Sequence, residues 1–149
     1  MIHTFTVNSA EETQNLARKL GEILQPRTII TLEGDLAAGK TTFTKGLALG
    51  LDIKDIIDSP TFSIIKIYDQ GRIPLYHMDV YRLDSDSDID FVLEYLDQEG
   101  ISVIEWASII QADLPENRIE IAIKRLEEET REITINDKGG LLEHVDFSY

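Results

Sequence analysis

The chain has no cysteine among its 149 residues, which removes disulfides and thiolate metal sites and agrees with a reducing cytoplasm. No apolar run approaches the ~20 residues that span a bilayer. The start, Met1-Ile2-His3-Thr4-Phe5, lacks the basic-then-apolar order of a secretory signal, so a cytoplasmic protein is expected. Basic residues are scarce: 14 Lys and Arg stand against 28 Asp and Glu, a net charge of −14. The deficit is uneven, with 8 basic and 9 acidic residues in 1–75 but 6 and 19 in 76–149. Phosphate backbones attract basic surfaces, so independent binding to nucleic acid is not expected. The acidic half is either a solvated face or a docking surface for a basic partner. Repeats, low-complexity segments and dividing linkers are missing too, and the length suits one domain over 1–149.

What is present reads as alternating strands and helices. Residues 5–7 suit a short strand, and Ser9 with Glu12 three positions on forms a capping-box signature. Leu16, Ala17, Leu20, Ile23 and Leu24 then mark one helical face, which Pro26 ends. Residues 28–32 read as a buried strand, 34–39 as a turn, and 40–49 as a helix. The segments 62–68 and 73–81, joined through Gln70 and Gly71, predict an antiparallel hairpin. A helix over 86–96 and strands over 101–104, 118–123 and 131–135 complete a three-layer α/β domain with a mixed parallel and antiparallel sheet.

One segment carries specific chemistry. Gly34-Asp35-Leu36-Ala37-Ala38-Gly39-Lys40-Thr41 is a P-loop (Walker A) pattern between a strand and an amphipathic helix. Its glycines let backbone N–H groups approach phosphate oxygens, and the helix N-terminus adds its positive dipole end. Lys40 is expected to reach the β- and γ-phosphates of a nucleoside triphosphate, and the Thr41 hydroxyl to ligate Mg²⁺. Such a site needs an acidic residue at the end of a second strand. Ile101-Ser102-Val103-Ile104-Glu105 offers one, although any strand can end in glutamate. Trp106, the single tryptophan, is by its type a core residue as readily as a ligand contact.

Four segments in order resemble the TsaE (YjeE) family, the bacterial ATPases of tRNA N6-threonylcarbamoyladenosine synthesis. They are Gly34 to Phe43, Ser59-Pro60-Thr61-Phe62, His77-Met78-Asp79-Val80-Tyr81-Arg82, and Ile104-Glu105-Trp106. Ala37 departs from the glycine usual there, and residues 84–100 are more acidic than the family pattern. The resemblance implies a P-loop ATPase, weak alone, that acts with TsaB and TsaD to threonylcarbamoylate adenosine 37 of ANN-decoding tRNAs. The partners would hold most of the tRNA. By position it implies ATP on Gly34, Asp35, Leu36, Ala37, Ala38, Gly39, Lys40, Thr41 and Thr42, and Mg²⁺ on Thr41 and Glu105. Lys40, Glu105 and Asp79 become catalytic candidates, Asp79 either orienting water or capping a turn. Ser59 to Phe62 is either a switch or a proline turn, Trp106 moves toward the nucleotide, and Arg131 resembles a position lining the adenine side. His77 receives no chemistry, and Arg82 pairs with an acidic group or a phosphate.

Other readings fit less well. Asp84-Ser85-Asp86-Ser87-Asp88 suggests a calcium loop, but the required Gly and Glu positions are Ile89 and Tyr95. Guanine recognition lacks an Asn-Lys-x-Asp sequence. A small-molecule kinase would use the same P-loop with an arginine-bearing lid, yet no Lys or Arg lies between Arg82 and Arg118.

Overall fold

The computed structural model of the chain describes residues 2–34, 38–54, 57, 65–81, 83, 86–140 and 142, leaving aside the side chains of 86 and 87. Strand β1 (Ile2–Val7) alternates half-exposed positions until Val7 enters the core. Ser9 then caps helix α1 (Ala10–Ile23), its Oγ accepting from the Glu12 N–H at 3.1 Å. Glu12 in turn accepts from the N–H of Asn8, so the capping box forms with its return arm shifted one residue outward. The helix stops at Leu24, before Pro26, where Arg72 donates to the orphan carbonyls of Gly21 and Leu24.

Next come β2 (Ile29–Glu33), helix α2 (Lys40–Gly50), and a hairpin of β3 (Ile65–Tyr68) and β4 (Leu75–Asp79). Helix α3 (Asp86–Leu96), β5 (Ile101–Glu105), a 3-10 helix (Ala107–Asp113), β6 (Ile119–Arg125) and β7 (Arg131–Asp137) follow. The hairpin is antiparallel as expected, although positions 62–64 of its first arm lie outside the described residues.

All strands join one seven-stranded sheet in the order β1-β7-β6-β2-β5-β4-β3. β6, β2, β5 and β4 run parallel, and antiparallel strands flank them on both sides. The sheet is therefore mixed. Its centre is apolar on both faces: β5 is buried at every position, and β2 and β4 at four of five each. Helices α1 and α2 cover one face over Ile30, Leu32, Leu75 and Val103, while α3 and the 3-10 helix cover Ile29, Met78 and Ile104 on the other. These are the three layers. Toward β7 and β1 burial alternates along the strands, so there the second face stays half exposed among the described residues.

Helices α1 and α2 approach each other unusually closely. A Cβ on Gly46 would lie 2.4 Å from the Gln14 carbonyl oxygen, and one on Gly50 2.3 Å from that of Arg18. Since α2 begins at Lys40, this contact also fixes where the loop before it points.

Candidate functional site

The loop between β2 and α2 lies at the carboxyl ends of the parallel strands. There β5 and β6 sit on opposite sides of β2, the place where open α/β sheets bind ligands. At its start, a Cβ on Gly34 would come within 2.8 Å of the Ile123 carbonyl oxygen, so close strand packing demands glycine. At its end, Gly39 is the N-cap of α2 with φ of 103°, a left-handed conformation natural to glycine, and no side chain caps the helix. The first-turn N–H groups thus have no side-chain cap competing with an anion. Asp35, Leu36 and Ala37 lie outside the described residues, as do Ser59 to Phe62, Arg82, Asp84 and Ser85.

Lys40 opens α2 and is only 6% exposed. Its Nζ stands 3.5 Å from Glu105 Oε1 and 4.5 Å from the centre of the Trp106 ring. The other carboxylate oxygen, Oε2, accepts from His77 Nε2 at 2.5 Å, and His77 is wholly buried. Burial by itself would raise the Glu105 pKa. The hydrogen bond and charge of His77, with Lys40, outweigh burial and hold the carboxyl below its ordinary value of 4.5.

Strand pairing explains the convergence. β4 and β5 run parallel with Asp79 level with Glu105 and His77 level with Val103. The two-residue period then puts His77 and Asp79 on one face of β4, beside Val103 and Glu105 on β5. Asp79 and Glu105 therefore end adjacent strands side by side, about 4.8 Å apart in backbone spacing. Asp79 Oδ1 accepts from the Tyr81 N–H at 3.0 Å, a turn closure that leaves Oδ2 without a partner among the described residues.

Trp106 has φ of 62°, rare for a bulky residue and a mark of local strain. Glu33 accepts from the Ser108 N–H, tying the start of the 3-10 helix to the end of β2, and Tyr81 packs 5.1 Å from the indole ring. On the opposite flank of the loop lies a cavity of about 230 Å³ whose lining includes Ala38, Gly39, Thr42, Thr13, Glu128 and Arg131. Arg131 donates to the Ala38 carbonyl at 3.0 Å, anchoring β7 to the loop beside this cavity.

The structure thus brings Lys40, Glu105, Asp79 and Trp106 together, and sets Ala38, Gly39, Thr42 and Arg131 around the neighbouring cavity. Thr41 sits in the first turn of α2. Sequence reasoning gave no role to His77 or Glu33. The spacing His77-x-Asp79 held the signal for the former, since alternate strand residues share a face. Among the described residues no three His, Asp or Glu side chains converge as a metal cage. The two residues expected to hold Mg²⁺, Thr41 and Glu105, offer a hydroxyl and one carboxylate, the kind of donors this ion takes while phosphates and water complete its shell. No helix of the described residues is long and apolar enough to cross a membrane.

Comparison with known proteins adds to this geometry. A family model described as "Threonylcarbamoyl adenosine biosynthesis protein TsaE" matches residues 7–133. A Bacillus subtilis protein named tRNA threonylcarbamoyladenosine biosynthesis protein TsaE is 49% identical over 138 residues, covering 93% of this chain and 87% of its own. A Treponema pallidum protein of the same name is 43% identical over 129 residues, covering 85% and 95%. The crystal structure of Bacillus subtilis YdiB superposes with a TM-score of 0.84 at 42% identity, covering 96% of this chain and 90% of that one.

Proposed function

Because the chain belongs to the TsaE family, we propose that it serves tRNA threonylcarbamoyladenosine biosynthesis as an ATPase that its partners activate. The observation that carries this reading is the buried Lys40–Glu105 pair behind the P-loop, with Asp79 in register beside it. Lys40 is a cation held 3.5 Å from a carboxylate at the phosphate loop, so a triphosphate offers it a richer set of anionic oxygens. With Lys40 turned to the β- and γ-phosphates, Glu105 and the Thr41 hydroxyl are the residues that would hold Mg²⁺. The bound ion would neutralise charge on the phosphate oxygens. Asp79, in register beside Glu105, orients the attacking water. The water oxygen bonds to the γ-phosphorus, the bond to the bridging oxygen breaks, ADP leaves, and the water proton passes to solvent by way of Asp79 or phosphate.

The partners in this reading are TsaB and TsaD, the product is modified adenosine 37 of ANN-decoding tRNA, and the compartment is the cytoplasm. A net charge of −14 supports a division of labour in which the partners hold the tRNA. Phosphate release measured with and without TsaB–TsaD tests the proposal. Slow release alone and a marked rise with partners is expected; equal, negligible rates in both would remove the ATPase reading.

Asp79→Ala separates chemistry from binding. Its affinity for ATP should stay within about threefold of the parent. Its partner-stimulated turnover should fall roughly 100-fold or more, the usual scale for a lost proton-handling group. Unchanged stimulated turnover would take Asp79 out of the mechanism.

A further inference from the structure

The geometry points to His77 as the positioning residue of this site: its Nε2 pins Glu105 Oε2, so that Oε1 stays directed at whichever cation occupies the loop. Before nucleotide arrives that cation is Lys40, at 3.5 Å. With Lys40 on the phosphates it would be Mg²⁺. The inference rests on the reading of Glu105 as a metal-associated carboxylate and adds the residue that keeps it in place during the exchange.

Two observations support it. His77 is wholly buried, and among the described residues Nδ1 has no hydrogen-bond partner, so there Glu105 is the ring's polar contact. A residue required only for packing would sit there better without nitrogen, since a buried unpaired polar atom is costly. The side chain also comes from a different strand, β4, whose parallel pairing with β5 keeps the two groups in register. A carboxylate held by a neighbouring strand cannot follow Lys40 when it leaves. Residues that hold a metal ligand from behind commonly tune metal affinity in this way.

Four proteins test the assignment: the parent, His77→Phe, His77→Asn and His77→Gln. Phenylalanine keeps the ring volume without a donor, asparagine places its amide at the level of Nδ1, and glutamine places one at the level of Nε2. Binding of a non-hydrolysable ATP analogue is measured by calorimetry, first in EDTA and then across a Mg²⁺ titration. In EDTA all four should agree within about threefold. The Mg²⁺ concentration for half-maximal tightening should rise ~10-fold or more in the Phe and Asn proteins and return toward the parent in Gln, on the scale of second-layer substitutions. Partner-stimulated kcat should follow the same order with KM little changed. If the Phe protein does not fold, Asn carries the comparison. A Phe or Asn protein with the parental Mg²⁺ midpoint, or one that loses affinity equally in EDTA, overturns the assignment in favour of packing. A parent that binds no nucleotide, or ignores Mg²⁺, overturns the underlying ATP reading instead, and the two failures look different.

Discussion

Lys40→Ala is expected to weaken ATP binding by roughly 10- to 150-fold, the equivalent of ~1.5–3 kcal/mol for hydrogen bonds to a charged group. The same change should also lower the stability of the empty protein. Lys40 and Glu105 are both almost fully buried, so removing the ammonium leaves a carboxylate in a poorly solvated place. Breaking a buried pair typically costs ~3–5 kcal/mol. Here His77 still holds Glu105, so about 2 kcal/mol is a better expectation, on the same scale. The effect carries a pH signature. Because the folded-state pKa of Glu105 lies below 4.5, its contribution is present above the unfolded value and lost as pH falls through the folded one. Lys40 is among the causes of that lowering, so the variant should begin to lose this contribution at a higher pH. Melting curves should therefore separate the two proteins most at pH values above the ordinary carboxylate range, and draw together only once pH has fallen through the lowered folded value of the parent, where the carboxylate is protonated in both. A constant gap at every pH would mean that the ion pair is not the source of the difference.

Gly46→Ala should lower the melting temperature, against the sign that helix propensity alone predicts. Alanine favours a helix interior over glycine by ~1 kcal/mol. At this position, however, the new Cβ would meet the Gln14 carbonyl oxygen at 2.4 Å and the Ala17 Cβ at 2.7 Å. The first of these is backbone and cannot rotate aside, so helix α2 must move off α1. Overpacking against backbone costs about 2–3 kcal/mol, so after the propensity gain a net loss of about 1–2 kcal/mol remains, or roughly 2–8 °C for a chain of this size. Gly50→Ala meets the same obstacle, at 2.3 Å from the Arg18 carbonyl oxygen. Because Lys40 is the first residue of α2, the displacement should also weaken ATP binding in proteins that remain folded. Unchanged or raised melting temperatures would show that the helices can separate at little cost.

What the sequence made legible is local. The turn at Gly39, the helix opening at Lys40, the strand ending at Glu105 and the helix Asp86–Leu96 all depend on neighbours within a few positions. The extent of β1 was harder to read, because an edge strand with half-exposed threonines shows a weak apolar pattern before Val7. The 3-10 helix after Trp106 is too short to leave a period. Long-range contacts are the other hidden part. His77 meets Glu105 across 28 positions, Glu33 meets Ser108 across 75, and Arg131 meets Ala38 across 93. No spacing rule joins such residues until strand order and register are known. The glycines of α1 and α2 were similarly silent, since what matters at Gly46 is a carbonyl on another helix.

The contact between Lys40 and Trp106 has an optical consequence. The only indole in the chain rests 4.5 Å from the ammonium that a triphosphate would recruit. Indole emission responds to nearby charge, so departure of Lys40 changes the field on a chromophore with no other tryptophan to obscure it. The wavelength and intensity of intrinsic fluorescence would then follow loop occupancy in real time. No dye or label would be needed to time the exchange of cations on Glu105.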